Sequence, residues 1–175
     1  MGLGQTMLTI MALILMGRMI LSVNTTTLDV GFTKDMSEYR ITATSLGTSM
    51  LEKASNLAFD ENSVDAEISA TSGLTAAASL GKETGETTES TFDDIDDYNN
   101  YVSIDTLSTS ATYKSRVTLV YVLISSNVIS VSASQTYSKR MTVDVTSDYL
   151  VDYSVNPPRP DTLRFQQIFS YWYFR

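Results

Sequence analysis

Apolar side chains follow two different patterns in the first 60 residues. From Leu3 to Val23 nearly every position is apolar, which predicts a helical segment that lipid or protein must cover on all sides. Beyond it, apolar residues return every three or four positions, which predicts one stripe on a continuing helix. The stripe consists of Leu28, Phe32, Met36, Tyr39, Ala43, Leu46, Met50, Ala54 and Leu57. Because no proline precedes Pro157, we expect one helix from Leu3 to about Ala58.

From Tyr101 onward the apolar period changes to two, and Val, Ile, Thr, Tyr and Phe become frequent. Met141, Val143 and Val145, for example, alternate with polar residues. Successive segments of this kind predict antiparallel strands with one buried face. The fold class is therefore α+β: a long N-terminal α-helix, with an apolar protruding half and an amphipathic half, packed on a C-terminal antiparallel β-sheet.

These patterns divide the chain into four parts. Residues 1–27 form the apolar helix, and residues 28–60 form the amphipathic half that packs on the sheet. Residues 61–100 form a connecting loop with an acidic turn, because glycine, serine and threonine replace the helical pattern there. The antiparallel sheet occupies residues 101–175.

Composition excludes several classes of function. The 175 residues carry a net charge of −8 and include neither Cys nor His, which removes thiol nucleophiles, imidazole bases and the usual zinc ligands. We therefore expect no enzyme activity and no organic cofactor. Only 12 Lys and Arg residues are spread along the chain, so no nucleic-acid-binding surface is expected either.

The acidic turn "FDDIDDYNNY" is a candidate cation site. Its carboxylates, Asp93, Asp94, Asp96 and Asp97, are oxygen ligands of the kind that Ca²⁺ prefers. The turn does not match an EF-hand loop, since the required Gly and distal Glu are absent. The alternative is a solvated acidic turn whose side chains hydrogen-bond the local backbone.

Three interpretations apply to the apolar N-terminus. A removable signal peptide is disfavoured, because no basic residue precedes Arg18 and no A-x-A-like cleavage site follows the apolar run. The length from Leu3 to Val23 suits a membrane-spanning helix. The same segment also suits the buried core of a polymer.

An apolar helix that becomes amphipathic and is followed by a loop and an antiparallel sheet resembles the type IV pilin and pseudopilin superfamily. The stretches "EYRITATSLGTSMLEKASNLAFDE", "FDDIDDYNNY", "KRMTVDVTS" and "IFSYW" strengthen this resemblance, which covers nearly the whole chain. It implies a homopolymeric helical filament at the cell surface, anchored in the inner membrane before assembly. The implied partners are other copies of the chain, the pilus assembly machinery and prepilin peptidase, with Met1 as the processed N-terminus.

The resemblance also implies which residues assemble the filament: Met1, Gln5, Leu8, Leu13, Leu15, Gly17, Arg18 and Leu21. Pilins commonly carry Glu at the fifth mature position, where this chain has Gln5, and an amide cannot neutralise a neighbouring N-terminal amine. Arg18 either pairs with an oxygen of a neighbouring subunit or extends to the edge of the core. The alternatives are a minor pseudopilin of a secretion system and a membrane-anchored surface binding module.

Overall fold

The computed structural model describes residues 2–64, 66–107, 111–126 and 128–173. Two compact units divide the chain, Met1–Arg40 and Ile41–Arg175. One helix, α1 (Leu3–Ala54), begins in the first unit and ends in the second. The helix ends at Ala54, four residues before the predicted end at Ala58. Beyond Ala54, the N–H groups of Asn56 and Leu57 bond to the carbonyl three residues earlier instead of four. The N–H of Asn56 donates to the carbonyl of Lys53 at 3.1 Å, which tightens the final turn.

Five antiparallel strands form the sheet within the described part of the second unit. They are β1 (Val102–Thr106), β2 (Thr112–Ser125), β3 (Val128–Val131), β4 (Ser138–Asp152) and β5 (Arg159–Ser170). The strand order is β1-β2-β4-β5, and β3 pairs with the last residues of β2. The predicted α+β class is confirmed.

One face of the sheet packs in the core, as the alternation predicts. Met141, Val143 and Val145 of β4 are fully buried, while the residues between them are partly exposed. The C-terminal part of α1 covers this face with the buried residues Ala43, Gly47, Met50, Leu51 and Ala54. A Cβ atom on Gly47 would overlap the ring of Phe165 on β5, so glycine permits the close approach of helix and strand.

The predicted stripe is fully buried at Ala43, Met50 and Ala54, which belong to the second unit. In the first unit, Met36 and Tyr39 are half-buried, and Leu28 and Phe32 are 65% and 49% exposed. An amphipathic pattern identifies a helix face but does not say which part of that face meets the sheet.

A connecting segment, residues 55–101, joins α1 to β1. Its regular structure consists of short 3₁₀ turns, Glu61–Ser63, Thr71–Gly73, Glu89–Thr91 and Asp96–Tyr98, among its described residues. Two strand-like hydrogen bonds hold its ends together: the N–H of Ala58 donates to the carbonyl of Asp93, and the N–H of Ile95 to that of Ala58, both at 3.0 Å. This pairing brings Phe59 and Asp60 beside the acidic turn.

Candidate functional site

A lysine on the buried face of β4 organises the polar interior of the second unit. Lys139 is fully buried, and its Nζ lies 2.7 Å from Oδ2 of Asp60 and 2.6 Å from Oδ1 of Asp96. It also donates to the carbonyl of Phe59 at 2.8 Å. The three donors of the ammonium group therefore meet three oxygens from the connecting segment. We call Lys139, Asp60 and Asp96 the ion-pair cluster.

Asp60 has further donors around its carboxylate. The backbone N–H of Thr75 lies 3.0 Å from each carboxylate oxygen, and the hydroxyl of Tyr121 donates to Oδ2 at 3.0 Å. The N–H of Asn62 donates to Oδ1 at 3.2 Å, which caps the first 3₁₀ turn. Asp60 thus joins strands β2 and β4 to two separate parts of the connecting segment.

The two acids of the ion-pair cluster have opposite pKa shifts. Burial alone would raise the pKa of Asp60, but the charge of Lys139 and the bonds from Lys139, Thr75 and Tyr121 outweigh it, and the net pKa is lowered. Burial raises the pKa of Asp96 to about 7 against the attraction of Lys139. The shifts differ because Asp60 also accepts hydrogen bonds from Thr75 and Tyr121, whereas at Asp96 burial dominates and the neighbouring Asp60 raises the pKa further. Asp60 is therefore the better-stabilised anion.

A second group of acids lies next to the ion-pair cluster, and we call Glu83, Glu86, Asp94 and Asp97 the carboxylate cluster. Glu83, Glu86 and Asp97 each present a carboxylate oxygen, and these three oxygens lie within 4.8 Å of one another. Asp94 and Asp97 are fully buried, whereas the two glutamates are partly exposed. The cluster joins the loop before the third 3₁₀ turn to the acidic turn.

Backbone donors satisfy only half of the buried carboxylate oxygens in this cluster. Oδ1 of Asp94 accepts the N–H groups of Asp96 at 2.6 Å and Asp97 at 3.2 Å, and Oδ2 of Asp97 accepts that of Asp93 at 3.2 Å. Oδ2 of Asp94 and Oδ1 of Asp97 are buried without a donor among the described residues. Two carboxyl oxygens of the acidic turn therefore lie in the interior without a hydrogen-bond donor.

The pKa values of the carboxylate cluster reflect this arrangement. Burial, followed by the charges of Asp96 and Asp97, raises the pKa of Asp94 to about 8. Burial, followed by Glu86, raises the pKa of Asp97 to about 8 and that of Glu83 to about 7. Hydrogen bonds from Asp97 and Glu83 lower the pKa of Glu86 against the effect of burial. Four neighbouring acids cannot all ionise without cost, since each anion disfavours the next.

The structure separates the four aspartates that the sequence placed in one candidate site. Asp96 pairs with Lys139, and the side chain of Asp93 is exposed, whereas Asp94 and Asp97 belong to the carboxylate cluster. The alternative of a solvated turn is wrong for Asp94, Asp96 and Asp97, which are fully buried, although the expected bonds to local backbone are present. The packing of the connecting segment over the turn buries them.

Seven of the eight predicted assembly residues lie on the described part of α1, in the first unit, and all seven are exposed: Gln5, Leu8, Leu13, Leu15, Gly17, Arg18 and Leu21. Met1 lies outside the described residues. The helix is long and apolar enough to cross a membrane.

Sequence reasoning missed Lys139, Asp60, Glu83 and Glu86. The alternation in β4 could have identified Lys139. It lies an even number of residues from Met141, Val143 and Val145, so its side chain is on the same buried face of the strand. No local pattern marks the other three residues, since folding of the connecting segment alone brings them to the acidic turn.

The fold defines an α+β protein in which a long N-terminal helix packs on an antiparallel sheet, an arrangement compatible with a pilin-like fold. No protein-family model, curated protein or solved structure matches the chain.

Proposed function

We propose that the protein is a structural subunit of an extracellular type IV pilus-like filament, which polymerises through the apolar part of α1. The observation that carries this proposal is the exposure of the helix between residues 3 and 23. Its large apolar side chains are 56% to 82% exposed: Leu3, Met7, Leu8, Ile10, Met11, Leu13, Ile14, Leu15, Met16, Met19, Ile20, Leu21 and Val23. A surface of this kind requires a cover of lipid or protein.

The free energy gained by burying these apolar side chains supports a permanent partner for the helix. Burying a large apolar side chain contributes about 1.5–3 kcal/mol relative to water. The gain on leaving lipid for a protein partner is smaller, because lipid is equally apolar, so close packing and polar contacts must contribute. Membrane insertion before assembly and helix packing in the filament would cover the same surface in succession.

The hydroxyl groups of the apolar segment suit such a buried state. Thr6 donates to the carbonyl of Leu3 at 2.9 Å, and Thr9 donates to that of Thr6 at 2.8 Å. These two side chains satisfy their donors within the helix, so transfer into lipid or protein leaves neither of the two hydroxyl hydrogens unpaired. Arg18 has no ion-pair partner among the described residues, and a neighbouring subunit would supply one.

The sheet carries a second exposed apolar surface at the β2–β3 hairpin. Leu123, Ile124, Val128, Ile129 and Val131 are 46% to 64% exposed. The strand register places Ile124, Ile129 and Val131 on one face of the hairpin and Leu123 and Val128 on the other, so subunit packing would cover apolar side chains on both faces. This supports contacts between sheet units in addition to those between helices.

Electron microscopy of material sheared from cells that produce the protein tests the proposal. We expect thin filaments in which mass spectrometry identifies this chain as the main component. Protein that stays in the membrane fraction as a monomer, with no filaments, would instead indicate an anchored surface module.

A charge reversal within the helix sharpens the test. Arg18→Glu should abolish or strongly reduce filament yield, because it places an acid where a positive charge meets the neighbouring subunit. Lys114→Glu makes the same change at an exposed position of β2 and should leave the yield unchanged. Equal yields from the two variants would contradict an assembly role for Arg18.

Gln5 favours a second candidate, a minor pseudopilin that initiates or caps a short filament. Its amide lacks the charge that would pair with a subunit's N-terminal amine during repeated addition. Immunogold labelling separates the two roles: labelling along the filament indicates the main subunit, and labelling confined to one end indicates the minor one.

A further inference from the structure

The carboxylate cluster lacks a counter-charge. Among the described residues, no Lys or Arg forms a salt bridge with Glu83, Glu86, Asp94 or Asp97. Lys139, the nearest buried cation, meets Asp60 and Asp96 instead. A buried anionic group of this size requires protonation or a cation.

The unpartnered oxygens specify where a cation would bind. Oδ1 of Asp97 is buried, receives no hydrogen bond from the described residues, and belongs to a carboxylate within reach of Glu83 and Glu86. Oδ2 of Asp94, three residues earlier in the turn, is also buried and receives no hydrogen bond from the described residues. In native proteins nearly all buried polar atoms have a partner, so these carboxyl oxygens require either a shared proton or a bound cation.

We propose that Glu83, Glu86 and Asp97 bind one Ca²⁺ ion, with Asp94 supporting the site from the interior. Three carboxylate oxygens within 4.8 Å of one another can share a single ion. Ca²⁺ suits an irregular set of oxygens because its coordination is flexible, whereas Mg²⁺ requires near-ideal octahedral geometry. The partly exposed glutamates leave room for water to complete the six to eight ligands typical of Ca²⁺.

The local backbone prepares this site. The N–H of Glu83 donates to Oε2 of Glu86 at 2.9 Å, and Gly81 and Gly85 have φ values of 149° and 115°, which other residues rarely adopt. Asn99 then fixes the loop to the sheet: its Nδ2 donates to the carbonyl of Leu80 at 2.9 Å, and its Oδ1 accepts the N–H of Leu119 at 3.0 Å. Bound Ca²⁺ would hold the loop against the acidic turn and stabilise the connecting segment.

Calorimetric titration of the full chain in mild detergent with CaCl₂ tests the site. We expect one site with a Kd below about 1 mM, and a melting temperature that falls when EDTA removes the ion. Mg²⁺ at equal concentration should raise the melting temperature less than Ca²⁺ does. The absence of both binding heat and a melting shift at about 5 mM Ca²⁺ would overturn the proposal, and an equal response to Mg²⁺ would overturn the assignment to Ca²⁺.

A double variant assigns the ligands. Glu83→Gln with Glu86→Gln keeps the shape of both side chains and should weaken Ca²⁺ binding by at least about tenfold. Asp148→Asn changes an exposed acid near the far end of β4 from Lys139 and should bind as the wild type does. Wild-type affinity in the double variant would place the ion elsewhere and refute the site.

Terbium luminescence provides a test that needs no variant. Tb³⁺ bound near Tyr98 of the acidic turn should emit on excitation of tyrosine, and Ca²⁺ should displace it. Emission that Ca²⁺ does not displace would contradict the proposal even where the double variant fails to fold. Because the measurement uses dispersed protein, its outcome is independent of filament assembly.

Discussion

Replacing Lys139 by Met removes the one buried positive charge of the ion-pair cluster while nearly conserving side-chain length. The change leaves Asp60, Asp96 and the carbonyl of Phe59 without their ammonium donor. Asp60 keeps its bonds from Thr75 and Tyr121, so most of its stabilisation remains. Asp96 keeps no side-chain donor, because its second oxygen is already unpartnered among the described residues. The cost therefore falls chiefly on Asp96.

Its magnitude follows from the burial of the contacts. Removing one partner of a fully buried ion pair costs about 3–5 kcal/mol, because an uncompensated charge remains in the interior. A domain of ordinary stability has about 5–15 kcal/mol in total. Lys139→Met should therefore remove a large part of the unfolding free energy. Lys114→Met makes the same chemical change at an exposed position of β2 and should cost less than about 0.5 kcal/mol.

Denaturant unfolding of the full chain in detergent, followed by near-ultraviolet circular dichroism, measures both variants. Asp96→Asn completes a double-mutant cycle with Lys139→Met. Because each change alone disrupts the same buried pair, the two losses should fall short of additivity by about 0.5–3 kcal/mol. A loss below about 1 kcal/mol for Lys139→Met, or two additive losses, would refute the reasoning.

Three further predictions concern the second unit. Gly47→Val should destabilise it by about 1–3 kcal/mol, since the new side chain overlaps Phe165, and a thermal melt equal to that of the wild type would contradict this close packing. Tyr121→Phe should cost about 1–3 kcal/mol in denaturant unfolding because it removes a hydroxyl from the ion-pair cluster, and an unchanged unfolding midpoint would argue against that bond. In EDTA, the melting temperature should fall as the pH rises from about 4 to about 8. Burial and neighbouring acids raise the folded-state pKa of Asp97 to about 8, so the unfolded chain releases this proton first, and a melting temperature that rises over this interval would contradict the shift.

The regular elements of the fold are predictable from the sequence because each has its own period. Alternation over Met141, Val143 and Val145 predicts their burial, and the periodic apolar stripe predicts a long helix. The end of that helix and the position of its first fully buried residue, Ala43, are not predictable, since both depend on tertiary contacts. Apolar periodicity predicts that a segment is a helix or a strand, but not which other element it packs against.

The site could be predicted only in part, because its residues are far apart in the sequence. The acidic turn is a local pattern, and its carboxylates bond the local backbone as expected. Glu83 and Glu86 reach Asp97 only through a loop shaped by tertiary contacts. Lys139 lies 43 positions from Asp96. The alternation in β4 predicts that Lys139 is buried, but it does not predict which acids pair with it.

The two acidic clusters have a common origin in the backbone of the connecting segment. A segment with few regular elements must find partners for its buried N–H groups outside helix and sheet. Carboxylates supply them here: Asp60 binds the N–H groups of Asn62 and Thr75, and Asp94 binds those of Asp96 and Asp97. This solution concentrates negative charge in the interior. At Asp60 and Asp96 a lysine from β4 balances the charge, whereas at the carboxylate cluster no described residue does. The same physical requirement therefore leads to an ion pair at Asp60 and Asp96 and to acids without a counter-charge at the carboxylate cluster, where we propose that a cation binds.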